Sequence, residues 1–205
     1  ISGGLIEPLA VCLHASKFVE KKQKVLLYGG GFLSQILSQI LENNGSNICT
    51  VDRNEYKKEF FSSKVEFNLN SKNIKDSSFD YTIECCGADN VLEECVRLTK
   101  PNGKIIQLAN PNSDLKIKAK VLSSFMRKEQ LLIGSWNSLY RPDNPEECDW
   151  RKSIQMIINK EIDINKLISH TSNLEQSDKL LKQIFKRRKD KNILPKFNKA
   201  LIKIK

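Results

Sequence analysis

The sequence predicts an α/β protein built on a doubly wound parallel sheet of six strands, followed by a tail that belongs to a second body. Three observations predict it. Short apolar runs with strand character alternate with helical periodicity from Lys24 to Gly134, the pattern of a parallel sheet with helical crossovers. Three consecutive glycines, Gly29-Gly30-Gly31, separate the first such run from the first amphipathic stretch. No glycine follows Gly134, and the remainder carries two helical patterns and one late alternating strand.

The elements follow in order. Residues 1–20 read as mostly helical, with Leu5, Leu9, Cys12, Leu13 and Val19 on one face and Pro8 bending or restarting the helix. Taken alone, Glu7 there is a solvated or capping acid and His14 a packing residue. Lys24–Tyr28 is the first strand. Leu33, Ile36, Leu37, Ile40 and Leu41 then fall on one helical face, Gly45 takes the C-cap, and Asn47–Val51 forms a strand that runs into Asp52.

Beyond it come a short helix over 54–61, a weak strand over 64–69 and a polar loop over 70–78. A fourth strand over 79–85 is closed by Cys86-Gly87. A helix spans 88–99, a turn Pro101-Asn102-Gly103, and a fifth strand 104–108. A short strand at 115–118 and a helix at 121–128 precede the sixth strand of the sheet, 131–133, which ends on Gly134-Ser135-Trp136-Asn137. Two helices, 150–160 and 177–187, lead to the late strand 199–204. A strand arriving after the sheet is complete has nowhere on it to bury an apolar side, so the expected division is 1–160 for the sheet domain and 161–205 for the returning segment.

The first βαβ unit carries the chemistry. A strand that turns sharply into a helix needs residues without Cβ where the turn is tight and where backbone approaches a pyrophosphate, and Gly29 and Gly31 supply them. The following helix offers free N–H groups and its positive dipole end to the phosphates, through Phe32 and Leu33. Asp52 stands 23 positions after Gly29, close to the spacing of an acid that hydrogen-bonds an adenosine ribose diol. That favours NAD over NADP, because a 2′-phosphate would face this carboxylate with only Arg53 to offset the repulsion. The third glycine of the G-x-G-x-x-G pattern is replaced by Ser34, small enough for the helix to pack close to the strand. A glycine-rich loop without a ligand and a methyltransferase, whose first turn and second-strand acid look alike, remain open on this unit. Cys86 and Gly87, at the carboxyl end of the fourth strand, border the same crevice; Cys85 reads as packing.

The 205 residues carry a formal net charge of +10. The lysines are dispersed, with only Lys186-Arg187-Arg188-Lys189 clustered, so the charge reads as a solvated face and not a nucleic-acid site. No apolar run is long enough to span a membrane. Six cysteines without a C-x-x-C pair, mostly within apolar patterns, point to reduced thiols and a cytoplasmic setting. The first residue is Ile1, so a longer protein that continues upstream is expected.

With these residues in view, the chain resembles the back portion of the zinc-dependent medium-chain dehydrogenases, polyol branch (sorbitol and galactitol-1-phosphate dehydrogenases). Ile6-Glu7-Pro8-Leu9-Ala10-Val11 is similar to that family's E-P-L-x-V helix, Gly29 to Leu33 to its phosphate loop, Phe79 to Gly87 to its fourth-strand signature, and Arg127-Lys128-Glu129 with Ile133 to Asn137 to its polyol-phosphate members. The resemblance implies a Rossmann domain set into a GroES-like β domain that is mostly absent here. It implies NAD and zinc, and oxidation of a small-molecule polyol or polyol phosphate by a homo-oligomer. It implies that Glu7 binds zinc or its water, that Ser135 and Asn137 lie by the nicotinamide, and that this portion by itself does not turn over. A nucleotide-binding regulatory domain without chemistry is the reading from another class.

Overall fold

A computed structural model of the chain describes residues 2–187, 189–190 and 192–204. Ile1 and Arg188, a member of the basic cluster, lie outside the described residues.

The strand β1 (Lys24–Tyr28) is buried on both faces, as the central strand of a covered parallel sheet must be. Val25 and Leu27 belong to one core and Leu26 to another, which is the period-two alternation of a strand read in three dimensions. The helix α1 (Ile6–Ser16) precedes it, and a 3-10 turn, Ser2–Leu5, leads in. Pro8 stands in the first turn of α1, where a missing N–H costs nothing, and the change from the 3-10 turn to α1 falls just before it, at Ile6. The helix α2 (Phe32–Asn43) follows the glycines and packs Ile36, Leu37 and Leu41 fully into the core. Gly45, at φ 84°, ends it, and the N–H of Ser46 returns to the Leu41 carbonyl at 3.0 Å.

Further strands are β2 (Asn47–Val51), β3 (Glu66–Asn68), β4 (Phe79–Glu84), β5 (Thr99–Gln107) and β6 (Leu131–Gly134). All pair in parallel in the order β3-β2-β1-β4-β5-β6. The predicted six-stranded, doubly wound Rossmann sheet is therefore the fold. The order reverses between β1 and β4, and this switch point opens the crevice in which such sheets bind ligands. One face carries α1, α2 and α5 (Asp149–Ile158); the other carries α3 (Val91–Leu98) and α4 (Ala119–Arg127).

Several boundaries differ from the sequence reading. The crossover helix expected over 54–61 is a 3-10 turn, Glu55–Phe60, with no buried residue, because its alternating charges give no apolar stripe to hold an α-helix. The expected turn 101–103 lies inside β5 as an irregularity in its pairing with β4, with Asn102 at φ 58° donating its N–H to the Lys128 carbonyl at 2.7 Å. Residues 115–118 pair with no strand. They run along α3, where the Lys118 N–H finds the Glu93 carboxylate at 3.1 Å.

The tail holds the largest difference. The late strand β8 (Lys199–Lys203) is not alone: it pairs in parallel with β7 (Ile168–Asn173), which sequence reasoning did not anticipate. Its pattern, ISHTSN, is polar and only partly buried, so no apolar alternation marks it. The helix α6 (Ser177–Arg187) connects the two.

Candidate functional site

A cleft of about 420 Å³ opens at the carboxyl ends of β1, β2 and β4. Gly29, Asp52, Arg53, Lys57 and Cys86 line it, so four residues expected at a dinucleotide site are brought together there. Gly29 has φ 103°, and a Cβ on it would stand 2.8 Å from the Cβ of Cys86, so no other residue fits the turn without displacing β4's end. Gly31 is the reverse case: nothing lies within 4 Å of where its Cβ would be. It caps α2 in extended geometry, so the fold has room there for a side chain, and Gly31, Phe32 and Leu33 stand beside the cleft without lining it. Phe32 and Leu33 form the first turn, which carries no acidic residue to repel an anion.

Ser34 is fully buried, and its hydroxyl donates to the Gly29 carbonyl. It ties α2 to the turn and does not reach into the cleft. Replacing it with glycine is expected to leave NADH affinity within about threefold while lowering stability by about 1 kcal/mol, the usual worth of one such bond. A loss of affinity beyond tenfold in an NADH titration would show that the hydroxyl acts on the ligand.

Asp52 is 9% exposed and engaged on both oxygens. Oδ2 accepts the Gly30 N–H at 2.8 Å and faces the Lys57 ammonium at 2.8 Å; Oδ1 accepts the backbone and side-chain N–H groups of Asn54 at 2.8 and 2.9 Å. Burial alone would push this carboxyl up, but Lys57 and the two backbone donors outweigh it and hold the group below the usual carboxylate range. It is an anion fixed in place at the tip of β2. Lys57, five positions further on, was missed in the sequence because it looked like one more dispersed lysine. Its partner and its place in the cleft single it out.

Glu84, the last residue of β4 and behind the cleft, is a second buried carboxylate that the sequence reading passed over. It accepts the N–H groups of Cys86 at 2.9 Å and Gly87 at 2.8 Å, and the Gln107 side-chain amide at 2.7 Å. These bonds fix the turn after β4. Cys86 is exposed as a residue, but its thiol donates to Glu84 at 3.0 Å, and partial desolvation of the sulfur together with that carboxylate pushes it up to about 12, which favours the neutral thiol. Cys85 packs against the main core, as expected.

Other expected residues stand elsewhere. Ser135 and Asn137 follow β6, where Ser135 is buried with its N–H on the Gln107 carbonyl at 3.0 Å and Asn137 is exposed; neither lines the cleft. Glu7 is exposed on α1. Among the described residues no three histidine, cysteine or acidic side chains converge as metal ligands. His14 is committed to Asp149, with Nδ1 3.1 Å from Oδ2, and the buried Cys12 thiol donates to the Leu33 carbonyl. Among the described residues no zinc-ligand set therefore forms, whereas the fixed carboxylate of Asp52 and the glycine turn beside the cleft fit a dinucleotide.

The tail reaches this region as well. Lys199 places its ammonium 4.8 Å from the centre of the Phe32 ring, and Asn198 bonds to Gln35 in the first turns of α2.

These features define a Rossmann fold whose switch-point cleft carries a fixed carboxylate at the end of β2, beside a helix first turn that holds no acidic residue. No family model matches the chain. It is similar to galactitol 1-phosphate 5-dehydrogenase of Escherichia coli K12, 21% identical over 89% of this chain and 56% of that protein. It is similar also to sorbitol dehydrogenase 1 of Saccharomyces cerevisiae, 21% identical over 86% and 52%. Among solved structures, galactitol-1-phosphate dehydrogenase from Escherichia coli superposes with a TM-score of 0.77 at 20% identity, over 90% of this chain and 57% of the other. Structures of this fold hold NADP in one case and NADH in another, so the fold by itself does not choose between them. The chain spans about half the length of the curated relatives it matches.

Proposed function

We propose that this chain is the NAD-binding portion of a zinc-dependent medium-chain dehydrogenase that oxidises a secondary alcohol of a small polyol or polyol phosphate. The observation that carries the reading is the cleft at the switch point: a fixed, ionised carboxylate at the end of β2 whose oxygen holds the N–H of Gly30, in the glycine turn that leads into α2. In it Asp52 and Lys57 hold the adenosine ribose, the N–H groups of Gly31, Phe32 and Leu33 meet the pyrophosphate, Arg53 flanks the adenosine, and Cys86 and Gly87 bound the nicotinamide side. Ser135 and Asn137 lie towards the nicotinamide end. The bound cofactor supplies hydride acceptance; the chain's own groups orient it and keep its charged ends apart.

Glu7 is the one residue here offered to zinc or its water, and the other ligands come from outside these 205 residues. A catalytic zinc takes about three protein ligands, so the chain alone is expected to carry no stoichiometric metal and to leave polyols unoxidised. Residues 1–160 form the nucleotide domain, and 161–205 return to a β domain. The exposed apolar side chains of Ile158 on α5 and Leu181 on α6 support a further body against these helices. Among the described residues no helix is long and apolar enough to cross a membrane, and the setting we infer is cytoplasmic.

The test is titration with NADH and metal analysis of the purified chain. Saturable NADH binding with well under one zinc per chain is the expected result. One firmly held zinc, or stabilisation by adenosyl-methionine in place of NADH, would overturn the assignment. The protein we infer is also a homo-oligomer. The edge strand β6 exposes Leu131 and Leu132, with Trp136 beyond, and carries none of the charges or prolines that protect sheet edges. Leu132→Glu is expected to shift sedimentation towards the monomer; a wild-type chain that sediments as a monomer at high concentration would rule this out.

A further inference from the structure

We infer that the Gln35–Asn198 amide pair makes the tail a positioning part of the dinucleotide site. The inference rests on the dinucleotide reading above and deepens it.

Gln35 is fully buried, one turn into α2. Its amide nitrogen donates to the Gly30 carbonyl at 3.0 Å and to Asn198 Oδ1 at 2.9 Å. Its carbonyl accepts from Asn198 Nδ2 at 2.6 Å. Asn198 is held in turn: Nδ2 also donates to the Leu167 carbonyl at 2.8 Å, and its backbone N–H donates to the Ser169 hydroxyl at 2.8 Å. Both primary amides have both protons placed, and a buried amide so committed has one orientation. The chain of bonds runs from the paired strands β7 and β8 to the second glycine of the phosphate loop.

The geometry of one peptide then matters. The Gly30–Gly31 bond is trans and planar, since no peptide bond among the described residues is cis. With the Gly30 carbonyl held by Gln35, the N–H of Gly31 points the opposite way, away from Gln35. That is the group a phosphate in front of α2 would meet. Asp52 holds the same residue's other side through the Gly30 N–H at 2.8 Å. The loop is thus aimed by two clamps, one from the ribose end and one from the tail. Removing Asn198 frees Gln35 to turn, and the Gly30 carbonyl loses a donor fixed in direction. By reciprocity, a dinucleotide that orders the loop must tighten the tail by the same factor.

The test uses the 205-residue chain and NADH. Wild type is titrated first: if it does not bind NADH, the dinucleotide reading falls, and the role of the pair falls with it. If it binds, Asn198→Ala is expected to weaken NADH about five- to twentyfold, the range for one well-placed buried bond. Gln35→Met should do the same, and the double variant should be no weaker than the weaker single within about twofold, because the two act as one unit. Hydrogen exchange over residues 199–203 should slow on NADH binding in wild type and not in Asn198→Ala. If Asn198→Ala lowers the melting temperature but binds NADH within about twofold of wild type, the pair only fastens the tail and the inference is overturned. Should Gln35→Met fail to fold, the Asn198→Ala titration and the exchange measurement decide alone.

Discussion

Wild-type chain is expected to bind NADH about ten- to a hundredfold more tightly than NADPH, and Asp52→Ala to bring the two within about threefold. The reason lies in the contacts of one carboxylate. A 2′-phosphate adds about two negative charges beside an anion that already holds Lys57 at 2.8 Å, so accepting it means sharing that cation between two anionic groups. Removing the carboxylate reverses the balance, because Lys57 and Arg53 then stand in the cleft with no acid between them. The Gly30 N–H also loses its acceptor, which weakens both cofactors alike, so the ratio of affinities is the informative quantity and not either value. Equal binding of both cofactors by wild type would remove Asp52 from the ribose site. The pH dependence has a definite sign. The folded-state carboxyl is depressed, so its contribution to stability is complete above the ordinary carboxylate value of about 4 and is lost as pH falls through the lower, folded-state value.

The second large effect belongs to Asp149, far from the cleft in role. This fully buried acid opens α5 and joins three parts: His14 on α1, Lys17 just after it at 2.5 Å, and the Leu139 N–H at 2.8 Å. His14 in turn sets its ring edge-on to Phe18, 5.8 Å between centroids. Asp149→Ala leaves the Leu139 N–H without its acceptor and unpins α1 from α5, while His14 and Lys17 keep some water, at 25% and 37% exposed. A loss of about 2–4 kcal/mol is expected, which at roughly 2–4 °C per kcal/mol for a chain of this size is a drop of about 5–15 °C. Asp149→Asn keeps an acceptor for Leu139 and should lose about half as much. NADH affinity of the folded variants should stay within about twofold. A melting temperature for Asp149→Ala within about 2 °C of wild type would show that the pairing adds nothing.

How much of this was legible in the sequence depends on the range over which each residue makes its contacts. The strands β1, β2, β4, β5 and β6 could be read because their apolar runs are short, bounded by glycine or proline, and buried in sequence order. Asp52 could be read because its spacing from Gly29 is set within one βαβ unit. The strand β7 could not, since Ile168 to Asn173 is polar and its partner comes some thirty residues later, at β8. The 3-10 turn after β2 was read as a helix because local propensity was all there was to judge, and no packing stripe corrected it. Gln35, Glu84 and Lys57 were passed over for a common reason: each is polar in a pattern where polar means solvent, and only the folded chain shows what each one touches. His14 had been given a packing role, and the Asp149 contact 135 positions away supplies its partner.

The distance between Gln35 and Asn198 along the chain, 163 positions, also has a consequence for biosynthesis. At roughly 5–20 residues per second, a ribosome needs roughly ten to thirty seconds to travel from one to the other. Once Asp52 has been made and the first βαβ unit has left the exit tunnel, its glycine turn is clamped from one side only until Asn198 arrives. On the proposed role of the pair, full affinity for the cofactor is therefore acquired only after Asn198 has been made, so that a nascent chain stopped short of it is less apt to sequester the cellular dinucleotide pool. Ribosome-bound chains stalled before and after Asn198 should differ in NADH-dependent protection of the turn from proteolysis, and equal protection would remove this timing.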